Sequence, residues 1–77
     1  MKFNELDGVR VLVDFPEHGI KKGDKGTIVD ISAYKGETSY LVEFSDNYGR
    51  TTAMFCIPAC HMKKYYDSMT EQIMDSD

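Results

Sequence analysis

The chain has no apolar run near the ~20 residues that a membrane helix needs. Its opening segment, Met1-Lys2-Phe3-Asn4-Glu5-Leu6-Asp7, lacks the apolar stretch of a signal peptide. These absences predict a cytoplasmic protein that does not engage a membrane. Cysteine is scarce: Cys56 and Cys60 are the only two. That is too few for the disulfide framework of a small secreted domain, and both are expected as free thiols. No Gly-x-Ser-x-Gly, phosphate loop or paired-carboxylate motif occurs, and Gly23-x-x-Gly26 is too short for a nucleotide fingerprint. With 77 residues there is room for one domain, which buries only about 60% of its unfolded surface. Such a thin core leaves little space for a deep substrate cavity. The reading is therefore of a non-catalytic chain without a cofactor.

Basic excess is missing as well. Residues 1–66 hold nine acidic and nine basic side chains, so the net charge of −4 arises from Asp67, Glu71, Asp75 and Asp77 in a segment without a base. Nucleic-acid binders ordinarily present a basic face that releases counterions from phosphates. A neutral body with an acidic end argues against that class as a first choice.

What the chain does have is alternation. Val9, Val11 and Val13 alternate with Arg10 and Leu12, a period of two that reads as a strand. Phe15-Pro16-Glu17-His18-Gly19 breaks it, and Lys21 to Gly26 follows as a polar turn. Gly26 to Ile31 is rich in β-branched residues and reads as a second strand. Tyr34-Lys35-Gly36-Glu37-Thr38 reads as a turn. Tyr40, Val42 and Phe44 mark one face of a third strand, and Asp46-Asn47-Tyr48-Gly49 is a hairpin signal. A fourth strand spans about Arg50 to Ile57, with Ala53, Phe55 and Ile57 on one face. Pro58-Ala59-Cys60-His61 reads as a short 3₁₀ turn and Met62 to Tyr66 as a closing strand. Five short strands at this spacing predict an all-β barrel over residues 1–66, because closure removes exposed edges. Residues 67–77 form an acidic tail. Ser68-Met69-Thr70-Glu71 fits a capping box and Met69 and Ile73 could share a helical face, yet so short a helix is marginal in water. A docked short helix and a frayed tail both stay open.

Three motifs in order carry a resemblance. Leu6 to Val29 contains Pro16-Glu17-His18-Gly19-Ile20-Lys21-Lys22-Gly23-Asp24-Lys25-Gly26-Thr27-Ile28. Tyr40-Leu41-Val42-Glu43-Phe44 and Asp46-Asn47-Tyr48-Gly49-Arg50-Thr51 follow. Together, over roughly residues 5 to 65, they resemble a family of small bacterial proteins described only as a domain of unknown function. The resemblance implies a small SH3-like barrel, related in shape to nitrile hydratase β subunits and KOW-type domains. Some similar small proteins are encoded as immunity partners beside bacterial toxins, which implies a protein-binding role. The chain departs from the pattern where Ile57-Pro58-Ala59-Cys60-His61-Met62 replaces an apolar Leu-Pro-Ala-x-x-Leu segment, and in the residues after Tyr66.

Three site hypotheses follow. The first is a protein-binding surface of Tyr48, Tyr65, Tyr66, Asp67, Met69, Glu71, Ile73 and Asp75, where tyrosine supplies rigid contact area and carboxylates meet a basic groove on the partner. This is the leading reading: a protein-binding module, an immunity or antitoxin-type inhibitor, monomeric or a small homo-oligomer. The alternative is a KOW-like RNA-binding module using Lys21, Lys22, Lys25 and Arg50, with Lys63, Lys64, Tyr65 and Tyr66 extending the patch should the fold bring the clusters together. The third is a metal-binding accessory role for Cys56, Cys60 and His61, whose thiolates and imidazole suit zinc or copper. Their spacing is not that of a zinc knuckle, no second ligand pair exists, and small buried thiols are the commoner explanation.

Overall fold

The computed structural model describes residues 3–74. These residues form an all-β unit of six antiparallel strands and two 3₁₀ turns. The strands are β1 (Gly8–Val11), β2 (Lys25–Tyr34), β3 (Glu37–Ser45), β4 (Thr51–Ile57), β5 (Met62–Asp67) and β6 (Gln72–Ile73), in the sheet order β4-β3-β2-β1-β5-β6. The expected alternation holds where it matters most. Val9, Val11, Ile28, Tyr40, Val42, Phe44, Ile57 and Met62 are buried on one face, joined by Phe3 and Ile20. Phe3 meets Tyr40 edge to face, with ring centroids 5.3 Å apart.

The sheet is barrel-like but does not close, which corrects the expectation of a closed barrel: β4 and β6 remain its two edges. After Ile57 the chain leaves β4 through the 3₁₀ turn Ala59–His61, and β5 then pairs with β1. Ring packing spans this region: Phe15 lies edge-on to Phe55 at 5.2 Å and tilted against His61 at 6.1 Å. A further 3₁₀ turn, Pro16–His18, forms where the sequence signalled only a break. β1 stops at Val11, so Leu12 and Val13 are partly exposed instead of extending the first strand. β2 runs on to Tyr34 because Lys35 and Gly36 both take positive φ, 52° and 82°, the dihedrals of a tight two-residue hairpin.

The tail is neither of the two alternatives expected for it. No α-helix occurs among the described residues. β5 continues through Asp67, a turn follows, and Gln72–Ile73 returns as β6 against Tyr66 and Asp67. The Met74 amide donates to the Tyr65 carbonyl at 2.6 Å. The Asp67 carboxylate accepts from the Met69 amide at 2.9 Å and organises the turn locally. Glu71 has φ 56°, incompatible with a continuing helix.

Candidate functional site

Asp7 explains why the tail is ordered. Its carboxylate is fully buried. It accepts the Asn4 amide at 2.7 Å, the Ser68 amide at 2.7 Å and the Ser68 hydroxyl at 2.8 Å. The Lys64 ammonium sits 3.1 Å away, itself only 7% exposed, and reaches Asp67 at 3.6 Å. Burial pushes the Asp7 pKa up, but the hydrogen bonds from Ser68 and Asn4 and the Lys64 ammonium outweigh it. The carboxyl is held below the ordinary aspartate value of 3.8. Ser68 also donates to the Glu5 carbonyl at 2.8 Å. The residue read as a helix cap instead binds a carboxylate 61 positions away.

This network presents apolar side chains to solvent from a fixed backbone. Met69 and Ile73 are 75% and 76% exposed, and Met74 is half exposed. Leu6 is also exposed, and its two chain neighbours, Glu5 and Asp7, both bond Ser68. The surface therefore combines Leu6, Met69, Ile73 and Met74 with exposed Glu5 and Glu71, while the Asp67 carboxylate is turned to Lys64 and the Met69 amide. Leu6 escaped the sequence reading because its φ of 71° turns it out of the strand pattern. Tyr66 is half-buried on β5, opposite Ile73. Asp75 lies outside the described residues.

Tyr48 and Tyr65 belong elsewhere. Tyr48 is the most exposed large hydrophobic residue among those described, on the β3–β4 turn beneath the Arg50 guanidinium at 5.2 Å. Asp46 builds that turn, accepting the Tyr48 and Arg50 amides and the Arg50 Nε, which lowers its pKa. Tyr65 lies on the outer face of the sheet over Gly8, where an added Cβ would stand 2.7 Å from the ring.

The same outer face carries three cations in line. Arg10 of β1 is directly opposite Lys25 of β2 and Lys63 of β5. The Lys25 ammonium lies 4.8 Å from the Tyr65 ring centre and the Arg10 guanidinium 5.9 Å. The fold thus joins the lysine loop to the Lys63–Tyr65 segment, in one part only. Lys64 points the other way, into Asp7. Lys21 and Lys22 stay on the loop, where their backbone amides bind Asp24 and Asp14. Arg50 stays with Asp46. Arg10 was not among the expected nucleic-acid residues; its register with Lys25 and Lys63 appears only once three strands pair. A groove of about 630 Å³ opens beside the row, lined by Arg10, Lys25, Asp24, Ser45, Asp46 and Thr52 among others.

Cys56 and Cys60 are exposed free thiols, not the buried small residues expected. Cys56 pairs across the sheet with Leu41 on the outer face of β4. His61 is half-buried against Phe15, its Nδ1 buried without a hydrogen-bond partner. Among the described residues no group of three or more His, Cys, Asp and Glu side chains is placed to hold a metal, so these three do not form a site. Sequence reading also missed His18, stacked flat on Phe55 with centroids 3.7 Å apart. Among the described residues no helix is long and apolar enough to cross a membrane.

No curated protein matches the chain. No solved structure matches it either. A family model does match, over residues 5–64, which takes in β1 to β4 and the first half of β5 but not β6. The chain belongs to the family described as domain of unknown function DUF4926.

Proposed function

We propose that this chain is a non-catalytic module that binds a protein partner, an inhibitor of the immunity or antitoxin kind acting in the bacterial cytoplasm on an SH3-like scaffold. One observation carries the reading: exposed Leu6, Met69, Ile73 and Met74 are carried by backbone that the buried Asp7–Ser68–Lys64 network fixes in place. Apolar side chains on ordered backbone lose little further freedom on docking, which raises affinity for a given contact area. Exposed Glu5 and Glu71, next to Leu6 and two residues before Ile73 in the chain, add negative charge to the same surface. That rim suits a partner whose groove is basic at its edge and apolar at its centre, the arrangement of interfaces in general.

The test uses the tagged chain as bait in extract of its own cells, with and without nuclease. A stoichiometric protein retained after nuclease treatment supports the reading when the Met69→Ser, Ile73→Ser double variant loses it. Central interface residues contribute about 2 kcal/mol or more on truncation, so the purified pair should weaken at least about thirtyfold. Equal retention by the double variant, or capture of nucleic acid alone, overturns it.

A further inference from the structure

We propose that this chain associates with a second copy of itself head to tail, the Tyr48–Arg50 turn of one molecule docking on the exposed Leu6, Met69 and Ile73 of the next. The turn holds two side chains ready. The Asp46 carboxylate accepts the Tyr48 amide at 2.8 Å, the Arg50 amide at 3.0 Å and the Arg50 Nε at 3.0 Å, and the Asp46 carbonyl takes the Gly49 amide at 3.1 Å. Tyr48 stands 83% exposed, with the Arg50 guanidinium 5.2 Å from its ring centre. The guanidinium therefore commits its Nε to Asp46 and lies over Tyr48. Its two terminal nitrogens, the fork that matches a carboxylate, stay open on a side chain that is 75% exposed. The Asp46 carboxylate is taken up by three donors of its own turn, so the charge the turn offers outward is positive. Tyrosine and arginine are among the commonest interface anchors, and side chains ordered before contact lose little freedom on docking.

The receiving surface is the one proposed above to hold a protein, and this inference rests on that reading: it names a molecule that the surface takes. Leu6, Met69 and Ile73 offer apolar area to the Tyr48 ring, and exposed Glu5 and Glu71 on the same segments offer carboxylates to the Arg50 fork. Neither carboxylate is in an ion pair among the described residues. A foreign basic partner fits the same surface, but the complementary turn is carried by this chain itself. In the sheet order β4-β3-β2-β1-β5-β6 the turn is at one edge and the tail strand at the other, and no hydrogen bond or ion pair among the described residues joins them. A molecule whose turn is docked thus keeps its own tail surface open for a further copy, which is the heterologous arrangement. Two anchors make a small contact, so the association is weak, in the range of about 10 μM to 1 mM. It competes with any other partner of the tail surface.

Sedimentation velocity of the purified full chain over about 10 μM to 1 mM, with a reductant to keep Cys56 and Cys60 as thiols, tests the contact. The average sedimentation coefficient should rise with concentration, and rise less at high salt. A turn variant, Tyr48→Ser with Arg50→Gln, and a tail variant, Met69→Ser with Ile73→Ser, should each weaken association at least about thirtyfold. Mixed in equal amounts they should form a dimer and nothing larger, because one keeps its tail surface and the other its turn. All four side chains are exposed, so both variants fold, which thermal melting checks. Should the turn variant melt early, Tyr48→Ser alone replaces it, since it leaves the Asp46–Arg50 bonds in place. The proposal fails if the wild type stays monomeric to about 1 mM, if either variant associates as the wild type does, or if the mixture stays monomeric. A monomeric wild type that still retains a partner in extract removes self-docking alone. A self-associating chain that retains none removes the foreign partner alone.

Discussion

Asp7 is a carboxylate without solvent contact, and four donors hold it charged: two amides, a hydroxyl and an ammonium. Replacing such a group is costly because its partners stay behind. Asp7→Asn turns an amide toward Lys64 and leaves that buried ammonium with only the more distant Asp67 carboxylate, at 3.6 Å, as countercharge, a change expected to destabilise the fold by about 3 kcal/mol. The pH dependence has a definite sign. The folded Asp7 pKa lies below the ordinary 3.8, so the folded state favours the ionised form. The resulting stability is present in full above the unfolded value and is lost as pH falls through the folded one. Urea unfolding of both proteins checks this. The gap between wild type and Asp7→Asn should be constant near neutrality and shrink as pH drops below 3.8. A gap that stays constant down to the lowest accessible pH would show that Asp7 carries no charge-linked stability.

At the scale of elements, the β2–β3 hairpin shows a local conflict. Its two-residue turn needs positive φ at both positions, and Lys35 occupies the first at 52°. A left-handed residue with a Cβ costs roughly 1–2 kcal/mol, and asparagine tolerates it better. Lys35→Asn also removes the ammonium lying 5.4 Å from the Tyr34 ring, worth about 0.5–1 kcal/mol at an exposed site. The relief exceeds the loss, so the variant should be more stable by up to about 1 kcal/mol, seen as a higher melting temperature. A lower one would mean the cation–ring contact outweighs the turn.

What could be read from the sequence divides along the same lines. Tyr40, Val42 and Phe44 were legible because period two and burial coincide on a strand with both neighbours in place. Asp46-Asn47-Tyr48-Gly49 was legible because its turn is organised by its own side chain. The tail was not. Ser68-Met69-Thr70-Glu71 carries a local helix signal, but the partner that decides it, Asp7, comes from the other end of the chain. Lys63 and Lys64 look equivalent in sequence. Paired with Arg10 and Val9 in turn, they alternate across β5, Lys63 outward beside Arg10 and Lys64 inward to Asp7, and only the pairing to β1 says which is which. Pairing across three strands is invisible to a pattern read along one.

The whole molecule separates its charge. Exposed Glu5 and Glu71 lie on the segments that carry the exposed apolar residues, while Lys25, Arg10 and Lys63 line up across the outer face. Among the described residues, acidic and basic side chains thus fall on different parts of the sheet. This segregation separates the rate constants of partner binding. Deleting the tail cannot test them, because losing Ser68 strips Asp7 of two contacts and the Glu5 carbonyl of one, and loosens the fold with the surface. Single side chains can. Glu71 is exposed, so Glu71→Gln should slow association with a basic-rimmed partner at low salt. The effect should vanish as salt rises, because screening removes the long-range field that steers encounter. Met69→Ser acts after encounter, when apolar area leaves water, and should speed dissociation while leaving association and its salt dependence alone. Stopped-flow measurement of both rate constants across a salt series separates the two. If Glu71→Gln alters only dissociation, the acidic rim is in direct contact with the partner and does not steer it. If Met69→Ser alters neither constant, the exposed apolar residues lie outside the interface.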